Sequence, residues 1–285
     1  MTRQRHIVLT GGASGIGAAA LALFKADGDR VTVIDRNDPG PAADRWINAD
    51  LSDLASIAAL ESLSRIDVLV NAAGLPPRPG LEWTILRVNT QALIALTEHL
   101  LPHLTPGGAI VNMASKAGGK WRENLAQVQR FLALDASHDL DAFLKEEAID
   151  PVRAYDLSKE AVIAWGLSNI ERFRDLGLRI NSVSPAAVDT PILEDFMTAF
   201  GARATRGVDL TGRAGRPDEI AEGPVGLRKG NGRGTGRRRR KAKRPLNRAA
   251  VPIHFNALSG RRLDPAVALI IFNEGLPICS AAKRL

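Results

Sequence analysis

A chain of 285 residues suits one α/β domain with an appendage; no run of 18 apolar residues occurs and no cleavage site follows residues 7–9, which predicts a cytoplasmic protein without a membrane span or secretory leader. The single cysteine, Cys279, excludes an internal disulfide and disfavours a cysteine-rich metal site. The formal charge of +7 comes from the end of the chain, because residues 223–285 hold 15 Lys+Arg against Asp264 and Glu274, a net of +13, and residues 1–222 have −6.

In chain order, residues 6–10 (HIVLT) read as a strand, 15–26 as a helix, and 30–35 (RVTVID) as a second strand rich in β-branched residues. A short strand follows near 46–49. Residues 66–71 (IDVLVN) and 108–114 (GAIVNMA) read as buried strands separated by a long helix over roughly 86–103, and 178–184 (LRINSVS) is the last clear strand. This alternation predicts an α/β fold, a Rossmann-like doubly wound parallel sheet. Residues 119–150 read as a helical insertion: Leu125, Val128 and Leu132 recur at three- and four-residue spacing, so an apolar face is expected to pack beside the site mouth or against another subunit. The six glycines and scattered basic residues of 223–236, then RRRRK at 237–241, predict a disordered linker. Only 266–272 (AVALIIF) resembles a strand again.

Thr10, Gly11, Ser14, Gly15, Ile16 and Gly17 lie between the first strand and the first helix. Glycines there permit a tight turn and let a pyrophosphate approach the helix N-terminus. Asp35 ends the second strand, where a carboxylate accepts hydrogen bonds from ribose hydroxyls and repels a 2′-phosphate, which favours NAD over NADP, with use of both as the alternative that neighbouring Arg36 leaves open. His6, His99, His103, His138 and His254 show no metal-ligand spacing and read as surface or helix-terminal residues, so no metal is implied.

From Thr10, Gly11, Gly15 and Gly17 onward the chain resembles the short-chain dehydrogenase/reductase family. Asp50 and Leu51 resemble its adenine-contacting segment, and Asn71, Ala72, Ala73 and Gly74 its Asn-Asn-Ala-Gly segment, with Ala72 in place of one Asn. Pro185, Val188 and Thr190 fall in the segment that resembles its nicotinamide-contacting Pro-Gly-x-x-x-Thr, with Ala186 replacing the glycine. Asn89 matches the asparagine that holds a proton-relay water, Ser115 the catalytic serine, and Tyr155 and Lys159 the Tyr-x-x-x-Lys pair. The chemistry agrees: oxidising an alcohol needs a base, and an ammonium one helical turn from a phenol favours the phenolate. The resemblance implies that Lys159 also holds the nicotinamide ribose and that Ser115 binds the substrate oxygen.

Ser115 and Tyr155 stand 40 positions apart, wider than the family commonly has. With residues 110–112, 119–121, 161–165 and 190–193, this spacing resembles the branch that contains coniferyl alcohol dehydrogenase and 3α-hydroxysteroid dehydrogenase/carbonyl reductase. The implied activity is NAD-linked oxidation of an aromatic, coniferyl-type alcohol, with a hydroxysteroid or ketone as the alternative substrate and a homodimer or homotetramer as the family-like assembly. Trp121, Phe196, Met197 and Phe200 are expected near the substrate. The resemblance covers residues 5–222, so the domain is drawn at 1–222 and 223–285 is a Gly/Arg-rich tail. A shift of reading frame near 222–223 accounts for the break, with a natural insertion over 223–265 as the rival. Polyanion binding by the tail and NAD binding without turnover are the readings of another class; a nucleic-acid partner is not favoured.

Overall fold

The computed structural model describes residues 3–60, 63–134 and 139–227. Its strands are short and β-branched because both faces of the sheet are covered. β1 (His6–Thr10) and β4 (Ile66–Asn71) are buried along their whole length. With β2 (Arg30–Asp35), β3 (Arg45–Asn48), β5 (Leu104–Met113) and β6 (Arg179–Val183) they form one parallel sheet in the order β3-β2-β1-β4-β5-β6. Alternation decides the layers. Ile7 and Leu9 of β1 join a cluster with Ala20 and Phe24 of α1 (Gly15–Ala26), while Val8 points to the opposite core with α4 (Leu93–Leu100) and α7 (Pro151–Ser168). The order reverses between β1 and β4, and that switch point opens a crevice at the carboxyl ends of the strands.

The strands at 6–10, 30–35 and 66–71 agree with the sequence reading residue for residue. β5 begins earlier than residue 108 because Leu104 already pairs with Ile66; the register then shifts through Gly107, at φ +83°, before Ala109 pairs with Val68. The long helix is a composite: α3 (Glu82–Leu86), a π-helical turn Arg87–Ala92, α4 and a 3-10 turn Leu101–His103. Between β3 and β4 lies the short α2 (Leu54–Ala58).

The insertion forms α5 (Leu125–Leu132) and α6 (Leu140–Glu146). The apolar face of α5 does not border the site mouth; it packs on α7, with Val128 and Phe131 buried. α7 starts at Pro151, where the missing N–H costs nothing and the Asp150 side chain accepts from Arg153 N at 2.6 Å. α8 (Ile170–Asp175) precedes β6; α9 (Leu193–Phe200) and α10 (Ala202–Thr211) follow it.

α11 (Pro217–Leu227) corrects the boundary read at residue 222. It runs through Pro224 to Leu227, so 223–227 is helix and not linker, because Gly223, Pro224 and Leu227 are buried and the helix packs against α1. His6 is also a correction: it is buried, with Nε2 2.9 Å from Thr32 Oγ1, and burial lowers its pKa. The expected strand at 266–272, the linker from 228 onward, Cys279, His138 and His254 lie outside the described residues. Among the described residues no helix is long and apolar enough to cross a membrane.

Candidate active site

Where β1 hands the chain to α1, Gly11 and Gly15 adopt left-handed backbone, φ +71° and +53°. The loop has no room for side chains. A Cβ on Gly11 would stand 2.7 Å from the Ala73 backbone, and one on Gly17 only 1.9 Å from the Gly11 carbonyl oxygen. Thr10 Oγ1 ties the loop to the neighbouring strand end, accepting from Ala72 N at 3.0 Å and Ala73 N at 3.1 Å. The Asp35 carboxylate accepts from Ala13 N (3.0 Å) and Asn37 N (2.9 Å). The outcome is a backbone cradle at the N-terminus of a three-turn helix, the geometry that receives phosphates.

A cavity of about 560 Å3 starts there. Asp35, Asp50 and Leu51 line one end, Gly11, Ser14, Gly15, Ile16, Gly17, Ala72, Ala73 and Gly74 the middle, and Ser115, Tyr155, Lys159, Pro185, Val188 and Thr190 the rest. Hydrogen bonds from Ser52 hold the Asp50 carboxyl below its ordinary pKa, so this end stays anionic. The loop at 185–190 is pinned from below: Gly215 N donates to Ala187 O at 2.9 Å and Asp189 N to Gly215 O at 2.8 Å. A backbone cradle for a pyrophosphate, a carboxylate for a diol and reactive groups at the far end together fit a dinucleotide.

Thr10, Asn71 and Asn89 do not line this cavity. Thr10 shapes it from behind. Asn71 is 2 % exposed and donates to Thr97 Oγ1 (3.0 Å) and Asn112 Oδ1 (2.9 Å), joining β4, β5 and α4. Asn89, fully buried, accepts from Leu75 N at 2.7 Å and donates to Leu75 O and Ser158 Oγ at 3.1 and 3.2 Å. Its side chain therefore fastens the loop after Gly74 to α7. The π-helical turn sets Asn89 in this position, a deformation common beside functional sites.

At the reactive end Tyr155 and Lys159 are both nearly buried, on one face of α7. Lys159 Nζ lies 5.7 Å from the Tyr155 ring centre and donates to Met113 O at 2.9 Å. Burial pushes the Tyr155 phenol up to about 12, against the pull of a hydrogen bond from Ser115, and pushes the Lys159 amine down to about 8. Both shifts favour the uncharged forms, and besides Ser115 it is the charge of Arg203 that draws the phenol back down. Phe196 and Phe200, one turn apart on α9, cover Tyr155 edge-on at 4.9 and 5.9 Å.

Trp121 and Met197 do not line the cavity. Trp121 is buried in the core, 3 % exposed, with the Arg122 guanidinium 4.3 Å over its ring. In their place the cavity takes Thr84, Val88, Lys116, Lys120, Arg78 and Arg203. The lysines were legible only as neighbours of Ser115; the arginines come from distant segments whose approach no local pattern announces. Each arginine makes a bidentate ion pair that ties down the cover: Arg78 to Asp195 of α9, both bonds 2.7 Å, and Arg203 of α10 to Asp156 of α7 at 2.6 and 2.9 Å. Among the described residues no group of three or more His, Cys, Asp or Glu gathers in a metal-binding arrangement.

Comparison with known proteins is consistent with this geometry. The family model for the short chain dehydrogenases matches residues 5–127. The coniferyl-alcohol dehydrogenase of Pseudomonas sp. strain HR199 is 34 % identical over 206 residues, 71 % of this chain and 80 % of that protein. The 3-alpha-hydroxysteroid dehydrogenase/carbonyl reductase of Comamonas testosteroni is 26 % identical over 75 % of this chain and 86 % of that one. Among solved structures, the 3-alpha-hydroxysteroid dehydrogenase of Pseudomonas sp. B-0831, complexed with NADH, superposes with a TM-score of 0.66 at 30 % identity, covering 79 % of this chain and 90 % of that chain.

Proposed function

This chain belongs to the short-chain dehydrogenase family, and on that premise we propose that it oxidises an aromatic, coniferyl-type alcohol with NAD and runs the reverse reduction. The observation that carries the reading is the convergence of Ser115, Tyr155 and Lys159 on the far end of a cavity whose other end is a glycine cradle. Gly11, Ser14, Gly15 and Ile16 would hold NAD in that cradle, where it would supply the hydride acceptor in the oxidative direction and, reduced, the hydride donor in the reverse one. The substrate's O–H proton passes to the Tyr155 oxygen while its C–H bond breaks with the electron pair leaving as hydride, and the C=O bond forms.

Lys159 is the charge that makes Tyr155 a base. Its ammonium, held by the Met113 carbonyl, is assigned the task of favouring the phenolate against the burial that keeps the phenol protonated. Ser115 donates to the oxygen on which charge develops, and its own Oγ is fixed by accepting from Ala117 N at 3.1 Å. Asn89 is assigned the anchoring of the water through which the proton moves onward. Asp35 favours NAD over NADP because its carboxylate meets the adenosine ribose and repels a 2′-phosphate.

Phe196 and Phe200 over Tyr155 support an aromatic substrate. A hydroxysteroid is the second reading, favoured by the likeness to the Pseudomonas sp. B-0831 enzyme. The test is ultraviolet detection of reduced nicotinamide when the purified chain meets cinnamyl-type alcohols and hydroxysteroids. NAD is expected to outpace NADP and the cinnamyl-type alcohols to react faster; silence with every alcohol sinks the proposal.

A further inference from the structure

The substrate end of the cavity has a charge pattern that the redox step does not require. Arg78, Lys116, Lys120 and Arg203 line it, and no carboxylate does; of the cavity's two acidic residues, Asp35 ends β2 and Asp50 follows β3, on the other half of the sheet. Asp195 and Asp156 already neutralise the two arginines. Lys116 and Lys120 are exposed and make no ion pair among the described residues.

Both lysines sit on the 3-10 turn Lys116–Lys120 that follows Ser115, and the turn is held in place. Lys116 N donates to Pro185 O at 2.9 Å. Gly118 lies so close to α7 that a Cβ there would stand 2.7 Å from the Lys159 carbonyl group. The turn that carries these two exposed lysines is thereby fixed directly after Ser115, in a cavity that Phe196 and Phe200 also line. Unpaired cations facing a concave site raise the local concentration of anions and favour an anionic ligand.

We propose that the substrate is an aromatic alcohol, or the matching carbonyl compound, that carries a carboxylate, which Lys116 and Lys120 receive while Phe196 and Phe200 cover its ring. This specificity rests on the dehydrogenase reading. The test compares 4-(hydroxymethyl)benzoate with its neutral primary amide, nearly the same in shape. The full chain with NAD is expected to prefer the acid in kcat/KM by roughly fivefold to tenfold, the range of one or two partly screened ion pairs, and the preference should shrink with added salt. The double variant K116Q/K120Q is expected to lose it, with the single variants intermediate should the double variant fold poorly by circular dichroism. An amide as good as the acid, or an acid preference that survives in the variants, overturns the inference while leaving the dehydrogenase reading intact. Absence of turnover with both compounds, and with the cinnamyl-type alcohols and hydroxysteroids as well, removes the dehydrogenase reading instead. Calorimetric binding then decides the inference: tighter lysine-dependent binding of the acid supports it, and equal binding of acid and amide overturns it.

Discussion

Lys159 is held where an ammonium is costly, and that cost is measurable. The interval between the ordinary lysine value of 10.5 and about 8 corresponds to about 3 kcal/mol of lost stability. Replacing Lys159 by Met removes this cost but leaves the Met113 carbonyl without its donor, a loss of about 1 kcal/mol. The variant is therefore expected to be more stable than the parent by about 2 kcal/mol near neutral pH while losing turnover. The sign follows from linkage. A lysine depressed in the folded state burdens it fully below about 8, and the burden disappears as pH rises toward 10.5. The gap between variant and parent in urea titrations should close over that window, and a gap independent of pH refutes the argument. Tyr155→Phe keeps the ring that packs on Phe196 and Phe200 and removes only the oxygen proposed as the acid–base group. Turnover should fall at least about a thousandfold with NAD affinity unchanged by fluorescence titration; substantial residual turnover takes the role of base away from Tyr155.

At the scale of elements, the glycine loop and the strand ends do what local sequence dictates, and so they were readable. The strand at 6–10, the turn glycines and Asp35 at the end of 30–35 follow from β-branched runs and from positions where only glycine fits. Gly17→Ala tests this directly. Its Cβ would meet a backbone oxygen at 1.9 Å, and since backbone cannot swing aside, the loop must open. NAD affinity is expected to drop by more than about a hundredfold, an effect of more than ~2.7 kcal/mol, and calorimetry showing parental affinity contradicts it. Other elements were not readable because tertiary contacts made them. The π-helical turn that aims Asn89 at Leu75 leaves no mark in the apolar periodicity, and Trp121, six residues after Ser115, is taken into the core. Likewise His6 looks like a surface residue at a strand start until Ser64 and Arg65 close over it.

For the whole molecule, the described core ends on α11, whose Pro224 removes a helical hydrogen-bond donor in the interior of the helix. That irregularity falls where the family resemblance in the sequence breaks off, the place at which a shift of reading frame near 222–223 is proposed. Sequencing the gene tests it, since another frame should encode an unbroken helix followed by a strand. The charge asymmetry bears on the molecule as a whole. Residues 228–285 hold 15 Lys+Arg against Asp264 and Glu274, and residues 1–227 hold a net −6. Clustered cations release counterions from a polyanion, whereas an acidic body is repelled by it. The full chain should therefore retard duplex DNA of any sequence in a gel at low salt, with affinity falling by roughly a thousandfold or more toward physiological salt. A chain ending at Leu227 should not retard it at all. Sequence-dependent binding would point to a defined nucleic-acid site, and binding that survives the deletion would place the contact on the acidic body, against the charge argument.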